Sequence, residues 1–399
     1  MRARRFVLAA LALAFAGGAS GQGAPPIEYE TFTLDNGLQF IVHEDHSVPV
    51  VHVQVWYDVG SAHEPEGRSG FAHLFEHMMF INTENLEKGE FDSYINRAGG
   101  NLNGTTNKDR TAYFETVPSN QVNVALWLEA DRMHNLVVNE ENFQREREVV
   151  KEERRLRVDN QPYGAAMMTI DTLAMDWEPY RHTVIGSMDD LNAATAEDAR
   201  EFYERFYVPN NAAVVVAGDV TTDQVRGLAE AYFAHIPAGP EMAELPPIPA
   251  APRTDGERRV TLQDDKATLP LHISAYTLPP DDHPDIPALE LMGRILMTGE
   301  SSRMNQRLVK DERAALQVFG GASAGMGPGT LTIFALPNQG VALDRIEALV
   351  WEELERIREE GVSERELEKA QNQTRASMIM SRLRVSSKAS QLQQYRRSG

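Results

Sequence analysis

The sequence predicts an α+β fold built from two tandem repeats, each a mixed, mostly antiparallel sheet packed with helices. Three observations carry this. Strand and helix patterns are intermixed and joined by hairpins, rather than alternating as strand–helix–strand crossovers. The stretch from Pro237 to Pro252 holds six prolines and few apolar anchors, which reads as a linker. Beyond it the first pattern returns, offset by about 220 residues.

Taken in order, Arg2, Arg4 and Arg5 form a basic region ahead of an apolar run, Phe6 to Ala16. Small residues from Gly17 to Ala24 offer cleavage sites, so residues 1–22 are expected to be a secretory signal. Thr31 to Leu34 and Leu38 to His43 flank Asn36 and Gly37, the residue pair of a tight hairpin. Val51, Val53, Val55 and Tyr57 alternate as the next strand. A helix follows from Gly70 to Phe80, with Ser69 as its expected cap. Phe91 to Arg97 is a helix closed by Gly99 and Gly100. Residues 101–106 and 111–117 are two strands. Helices are expected near 120–135, 142–157, 163–174 and 195–206, the last with Thr195 and Asp198 as a capping pair. Ala212 to Gly218 is a buried strand, and Asp223 to Ala234 a helix.

In the second repeat, Leu271 to Tyr276 corresponds to the strand at Val51, and Gly321 to Leu336 to the strand pair before Pro118. Leu289 to Leu308 replaces the helix at Gly70. Val341 to Glu359 and Leu367 to Met378 correspond to the helices near Trp127 and Val150. The pattern then stops without a partner for residues 195–234. The second repeat is therefore expected to be degenerate and truncated, and the chain a divided form of something longer, its sheet edges otherwise left bare.

Chemistry concentrates in the helix at Gly70, which spells His73, Leu74, Phe75, Glu76, His77. Residues i and i+4 share a helix face, so both imidazoles can reach one metal ion, with Glu76 close enough to take a proton from water. A hydrolytic zinc site needs a third protein ligand. In the helix at 142–157, Phe143, Val149, Val150 and Leu156 read as one apolar stripe, with Glu146 and Glu153 in its middle and Glu148 and Glu152 off it. A carboxylate on a buried face needs a partner. Glu153 is thus the expected ligand and Glu146 a supporting group. A charge-rich solvated helix with a different phase is the competing interpretation. The second repeat has Gly293, Leu296, Met297, Ala370 and Ser377 near the corresponding places, so it keeps the scaffold without the chemistry.

These residues, with Gly60, Gly70, Ala72, Phe80, Thr83, Asn103, Thr106, Thr111 and Tyr113, resemble the pitrilysin-type family of inverted zinc-binding metallopeptidases, which includes insulin-degrading enzyme and mitochondrial processing peptidase. The resemblance runs from about Glu28 onward. It implies one Zn²⁺ per catalytic domain on His73, His77 and Glu153, with Glu76 as general base and Glu146 as a second functional acid. It implies a catalytic domain at 27–236, a linker at 237–256 and a non-catalytic homologous domain at 257–399. It also implies that an extended or unfolded peptide pairs with the strand carrying Asn103, Gly104, Thr105 and Thr106. An ordinary exposed hairpin edge is the other interpretation of those four residues. The family closes a chamber from two such halves. The opposing half is expected to be a second copy, a partner subunit or a missing C-terminal region.

The formal net charge is −20, and a signal segment would remove three arginines and no acid. Such a chain is a poor partner for nucleic acid or an anionic membrane. No cysteine is present, which excludes disulfides, a thiolate zinc site and a lipid-modified cysteine. Periplasmic or secreted residence in a Gram-negative bacterium is the expectation, with no membrane contact in the mature form. A non-catalytic assembly subunit and a metal-binding protein are the alternatives to a peptidase. The remaining histidines lack ligand spacing.

Overall fold

The computed structural model describes residues 26–249 and 256–398; the expected signal segment lies outside them. The first unit runs β1 (Glu30–Thr33), β2 (Gln39–Glu44), β3 (Val50–Tyr57), α1 (Phe71–Met78), α2 (Glu90–Arg97), β4 (Asn101–Thr106), β5 (Thr111–Pro118), α3 (Val122–Asn135), α4 (Glu140–Arg154), α5 (Gly164–Ala174), α6 (Met188–Ala193), α7 (Ala196–Phe206), β6 (Ala212–Gly218) and α8 (Thr222–Tyr232). The six strands pair in the order β1-β2-β6-β3-β5-β4, and only β2 and β6 run parallel. The β1–β2 turn needs Gly37, which sits at φ +88° in the left-handed region. Asn36 donates to the carbonyls of Phe233 and Ile236, tying this hairpin to the segment after α8.

The second unit runs β7 (His272–Leu278), α9 (Ile286–Met297), β8 (Ala315–Ser323), β9 (Gly329–Pro337), α10 (Leu343–Glu360), α11 (Glu364–Ser381) and α12 (Val385–Ser398). Its strands pair β7-β9-β8, all antiparallel, which repeats the arrangement β3-β5-β4 of the first unit. Helix α9 packs on β8 as α1 packs on β4. The places of the motif residues are filled by Gly293, Leu296 and Met297, all buried in the apolar core of this unit. Ala370 on α11 is buried and Ser377 is exposed. The repeat is therefore a repeat of topology, with side chains freed from chemistry returned to packing.

Helix α12 has no counterpart among the expected elements, and it leaves the second sheet. It lies against β6 and β3 of the first sheet, where Ala389 and Leu392 are buried with Ile41, Val215 and Ala217. Gln393 donates to the Ala213 carbonyl at 2.8 Å, and Arg396 grips Asp58 at 2.6 and 3.0 Å. Its apolar stripe is only Val385, Ala389 and Leu392, too thin for a periodicity argument, yet enough against small strand residues. The exchange is reciprocal. Tyr163, capping α5, donates its hydroxyl to the Leu269 carbonyl at 2.8 Å, and Thr277 on β7 donates to Ala174 at 2.9 Å. The second unit thus keeps a core of its own around β7, β8 and β9, while its last helix covers the first sheet.

That cover explains why β3 is buried on both faces rather than one. Its inner face meets α3, and its outer face carries His52, Gln54 and Trp56 toward α12. His52 is buried, with Nδ1 2.9 Å from the Thr116 hydroxyl. Burial pushes its imidazole down to about 4. The unfolded chain therefore takes up a proton below about pH 6.5 that the folded chain refuses, so stability falls as pH drops from there toward 4. His52→Gln should flatten that slope, removing an acid-side loss on the order of 3 kcal/mol, measurable by urea unfolding at pH 7 and pH 4. An unchanged slope would assign the acid sensitivity to other groups.

The Pro-rich segment forms no helix or strand over its described part, and it is not loose. Leu245 and Ile248 pack on Met175, Trp177 and Tyr180, and Trp177 donates its indole N–H to the Pro246 carbonyl at 3.0 Å. Among the described residues no helix is long and apolar enough to cross a membrane.

Candidate metal centre

Helix α1 is only eight residues long, and a helix of that length depends on its surroundings. Phe71, Leu74, Phe75 and Met78 are buried in the core beneath the sheet, and Tyr113 on β5 donates its hydroxyl to the Phe75 carbonyl at 2.8 Å. The opposite face carries His73, Glu76 and His77. The cap is not Ser69. Gly70 occupies the N-cap at φ +98°, and the buried Glu64 carboxylate accepts from the Gly70 amide at 2.9 Å and the Ala72 amide at 2.8 Å. An anion there satisfies orphan donors and complements the helix dipole. The Ser69 hydroxyl instead donates to Asp190.

Behind Glu64 stands His182, whose Nε2 is 3.0 Å from the carboxylate. Burial raises the Glu64 carboxyl. For His182, burial disfavours the charged ring, but the hydrogen bond and charge of Glu64 outweigh it and raise its pKa.

The His73 and His77 rings lie 5.0 Å apart, centre to centre. Glu153 Oε2 on α4 is 3.7 Å from His73 Nε2 and 3.0 Å from His77 Nε2. One ligand atom from each of the three falls within 4.8 Å of the others, and among the described residues no other three histidines or acids do so. Donor atoms around a tetrahedral zinc, at bonds of about 2.0–2.1 Å, stand about 3.3 Å apart, so the spacing fits the ion. Burial, then the neighbouring His77, pushes the His73 imidazole below its ordinary range, which keeps it neutral with a lone pair to give. His73 Nδ1 and Glu153 Oε2 are buried without a hydrogen-bond partner. A buried polar oxygen left unpaired is costly unless something else takes its lone pair.

The phase of α4 differs from the sequence expectation. Phe143 and Val150 are buried, but Val149 is 44% and Leu156 56% exposed. The buried stripe is therefore narrower and rotated, and Glu146 and Glu153 stand at its border rather than its middle. That border faces α1. Glu152 and Glu148 point to solvent, paired with Arg155 and Lys151. Glu153 Oε1 pairs with Arg157 at 2.6 Å. Glu146 is buried, but its hydrogen bond is with Arg145 Nε at 3.0 Å, not with either histidine. Glu146 therefore touches neither histidine directly in this arrangement.

Asn103, Gly104, Thr105 and Thr106 lie in β4, the last strand of the sheet order, beside α1. A Cβ on Gly104 would come within 3.1 Å of Glu76 Cγ and 3.2 Å of Phe80, so glycine lets this edge approach the motif. The Gly104 amide donates to Asn103 Oδ1 at 2.9 Å, and Arg110 donates to the Thr105 carbonyl at 2.8 Å. The sequence interpretation missed Glu64, His182 and Asp190, which carry no spacing signal because they converge from distant segments. It also missed the buried cluster of Arg132, Glu129 and Glu115 under α1. Glu129 and Arg132 at i, i+3, set among Leu126, Leu128, Ala130 and Met133, were the available clue.

Residues 39–186 match the insulinase domain of peptidase family M16, and residues 193–374 match the peptidase M16 inactive domain. The zinc protease PqqE of Helicobacter pylori is 34% identical over 353 residues, 88% of this chain and 80% of that protein. The crystal structure of a protease from Helicobacter pylori has a TM-score of 0.87 at 32% identity, over 93% of this chain and 89% of the other. The periplasmic protease PqqL of Escherichia coli shares the fold, with a TM-score of 0.74 at 20% identity, over 94% of this chain and 43% of PqqL. Identity to the Helicobacter protein across most of both chains, together with the two domain matches, means that this chain belongs to peptidase family M16, the insulinase family.

Proposed function

We propose that the chain is a zinc-dependent endopeptidase that hydrolyses extended or unfolded peptides. The observation that supports it most is the approach of two imidazole nitrogens and one carboxylate oxygen to within 4.8 Å, with Glu76 on the same helix face. In this reading His73, His77 and Glu153 hold the ion. Zinc bound there would supply Lewis acidity, lowering the pKa of a water and polarising a peptide carbonyl. A Glu76 carboxylate oxygen takes the proton as the water oxygen attacks the carbonyl carbon. It passes that proton to the amide nitrogen as the C–N bond breaks. The peptide adds alongside β4, next to Asn103, Gly104, Thr105 and Thr106. Glu146, buried on the α4 border, is the second functional acid, orienting a histidine ligand or positioning the groups around the ion. Residues 27–236 carry the chemistry, and the second unit supports it and lends back α12.

The mature chain is assigned to the periplasm or the secreted fraction. Its opposing half is a second copy, a partner subunit or a further region, which light scattering after size exclusion would sort. The decisive experiment is zinc content together with cleavage of a quenched fluorescent peptide library, with and without chelator. Cleavage lost on chelation and restored by zinc is the expected result. Zinc binding without cleavage, in every assembly state, would favour a non-catalytic subunit instead. Glu153→Gln should weaken zinc binding by more than the roughly 10–100-fold typical of losing a supporting residue, read by chelator competition. Unchanged affinity would remove Glu153 from the ligand set.

A further inference from the structure

The two helices that carry the three converging side chains touch the same short segment. Residues 181–190, from the end of the α5–α6 connection into the first turn of α6, reach α1 at several points. His182 meets Glu64, which caps α1. The Ser187 amide donates to the Ser69 hydroxyl at 2.9 Å, and the Ser69 amide donates to Asp190 Oδ2 at 3.1 Å. Gly186 sits at φ +74°, and a Cβ there would fall 2.3 Å from the Ser69 carbonyl and 2.6 Å from Gly70 Cα. The same residue also reaches α4: Arg154, which follows Glu153, donates from Nη1 to the Gly186 carbonyl. Gly186 is therefore wedged against the start of α1 on one side and held by the end of α4 on the other.

From this we infer that the segment 181–190 is a strap that sets the distance between α1 and α4, and so the fit of Glu153 to His73 and His77. The inference rests on the metal reading proposed above. The physical need is clear. Helix α1 has two turns, and α4 leaves its last α-helical turn at Arg154 for a wider turn over Arg155–Asp159. Neither end is stiff by itself. Donor atoms 3.0 and 3.7 Å apart lose a shared ion if either helix slides by about 1 Å. Arg154, Gly186, His182 and Glu64 are positioning residues. None is a ligand.

The test compares zinc affinity by chelator competition, the visible absorption of the Co²⁺-substituted protein, and the melting temperature of the zinc-free protein. Arg154→Ala and His182→Ala should each weaken zinc binding about 10–100-fold and alter the Co²⁺ bands, while the zinc-free melting temperature moves by only a few degrees. Arg154→Lys, which keeps a donor for the Gly186 carbonyl, should recover most of the affinity. Should either alanine variant fail to fold, Arg154→Met, which keeps the stem but has no donor for the Gly186 carbonyl, carries the test: zinc binding weakened about 10–100-fold supports the strap and wild-type affinity overturns it. Wild-type affinity and wild-type bands in the folded alanine variants would overturn the strap and leave the metal reading intact. Absence of zinc binding in the unaltered protein would overturn the metal reading and the strap with it.

Discussion

Glu76→Gln should leave zinc bound at wild-type affinity and lower kcat by about 10³-fold, with KM nearly unchanged. General acid–base groups contribute about 10²–10⁴-fold, so 10³ is a mid-range value equal to about 4 kcal/mol of barrier. The substitution keeps shape and hydrogen-bonding capacity while removing the carboxylate that accepts a proton. Glu76 is a half-buried residue on the face of α1 that carries His73 and His77, and its stem lies against Gly104. Nothing in the core depends on its charge, so the melting temperature should stay within a few degrees. Kinetics on a quenched peptide with metal analysis of the same sample would decide the matter. Full activity in a zinc-loaded Glu76→Gln protein would refute the base assignment and redirect attention to another acid near the site.

Arg132→Ala should destabilise the fold by about 3–5 kcal/mol, the range for removing one partner of a buried ion pair. Arg132 on α3 is 0% exposed and ties Glu129 and Glu115, themselves fully buried. Its Nε donates to Glu129 at 2.8 Å and its Nη2 to Glu115 at 3.0 Å. The guanidinium also lies 4.5 Å from the ring centres of Phe91 and Tyr113. Removal would leave two carboxylates facing each other in a dry core, with burial pushing the Glu115 carboxyl upward. The folded variant would then take up a proton that the unfolded chain does not. Its deficit should therefore narrow as pH falls from 7 toward 5. The damage would spread to the site, because Tyr113 holds the Phe75 carbonyl of α1. Urea unfolding at both pH values measures this, and a loss below about 1 kcal/mol would mean that water or relaxation compensates the pair. Adding Glu115→Gln and Glu129→Gln should recover part of the loss.

How much of this was legible in the sequence varied from residue to residue. The β1–β2 turn was plain, since Asn36 and Gly37 between two apolar runs admit few other conformations. The cap at Thr195 was equally local, and the structure shows the reciprocal Thr195–Asp198 box. Val149 and Leu156 show the opposite. Their apolar character suggested burial, but α4 lies at a margin where one flank is open, so the helix turned its glutamates to the border. Ser69 was a reasonable cap by residue type, yet Glu64, reaching from a loop, displaced it. Helix α12 was invisible because three small apolar residues give too weak a moment to stand above a polar background.

The chain by itself determined its α+β class, the recurrence of one strand-and-helix order, and the helix that sets His73, Glu76 and His77 on one side. Those features rest on spacings of two to four residues, which backbone geometry converts directly into faces and turns. Only the tertiary structure decided that Glu153 stands 3.0 Å from His77, that Glu64 and His182 anchor α1, and that the last helix of the second unit covers the first sheet. Those outcomes depend on contacts between segments far apart in the chain, where the winner is set by packing and desolvation rather than by any local pattern.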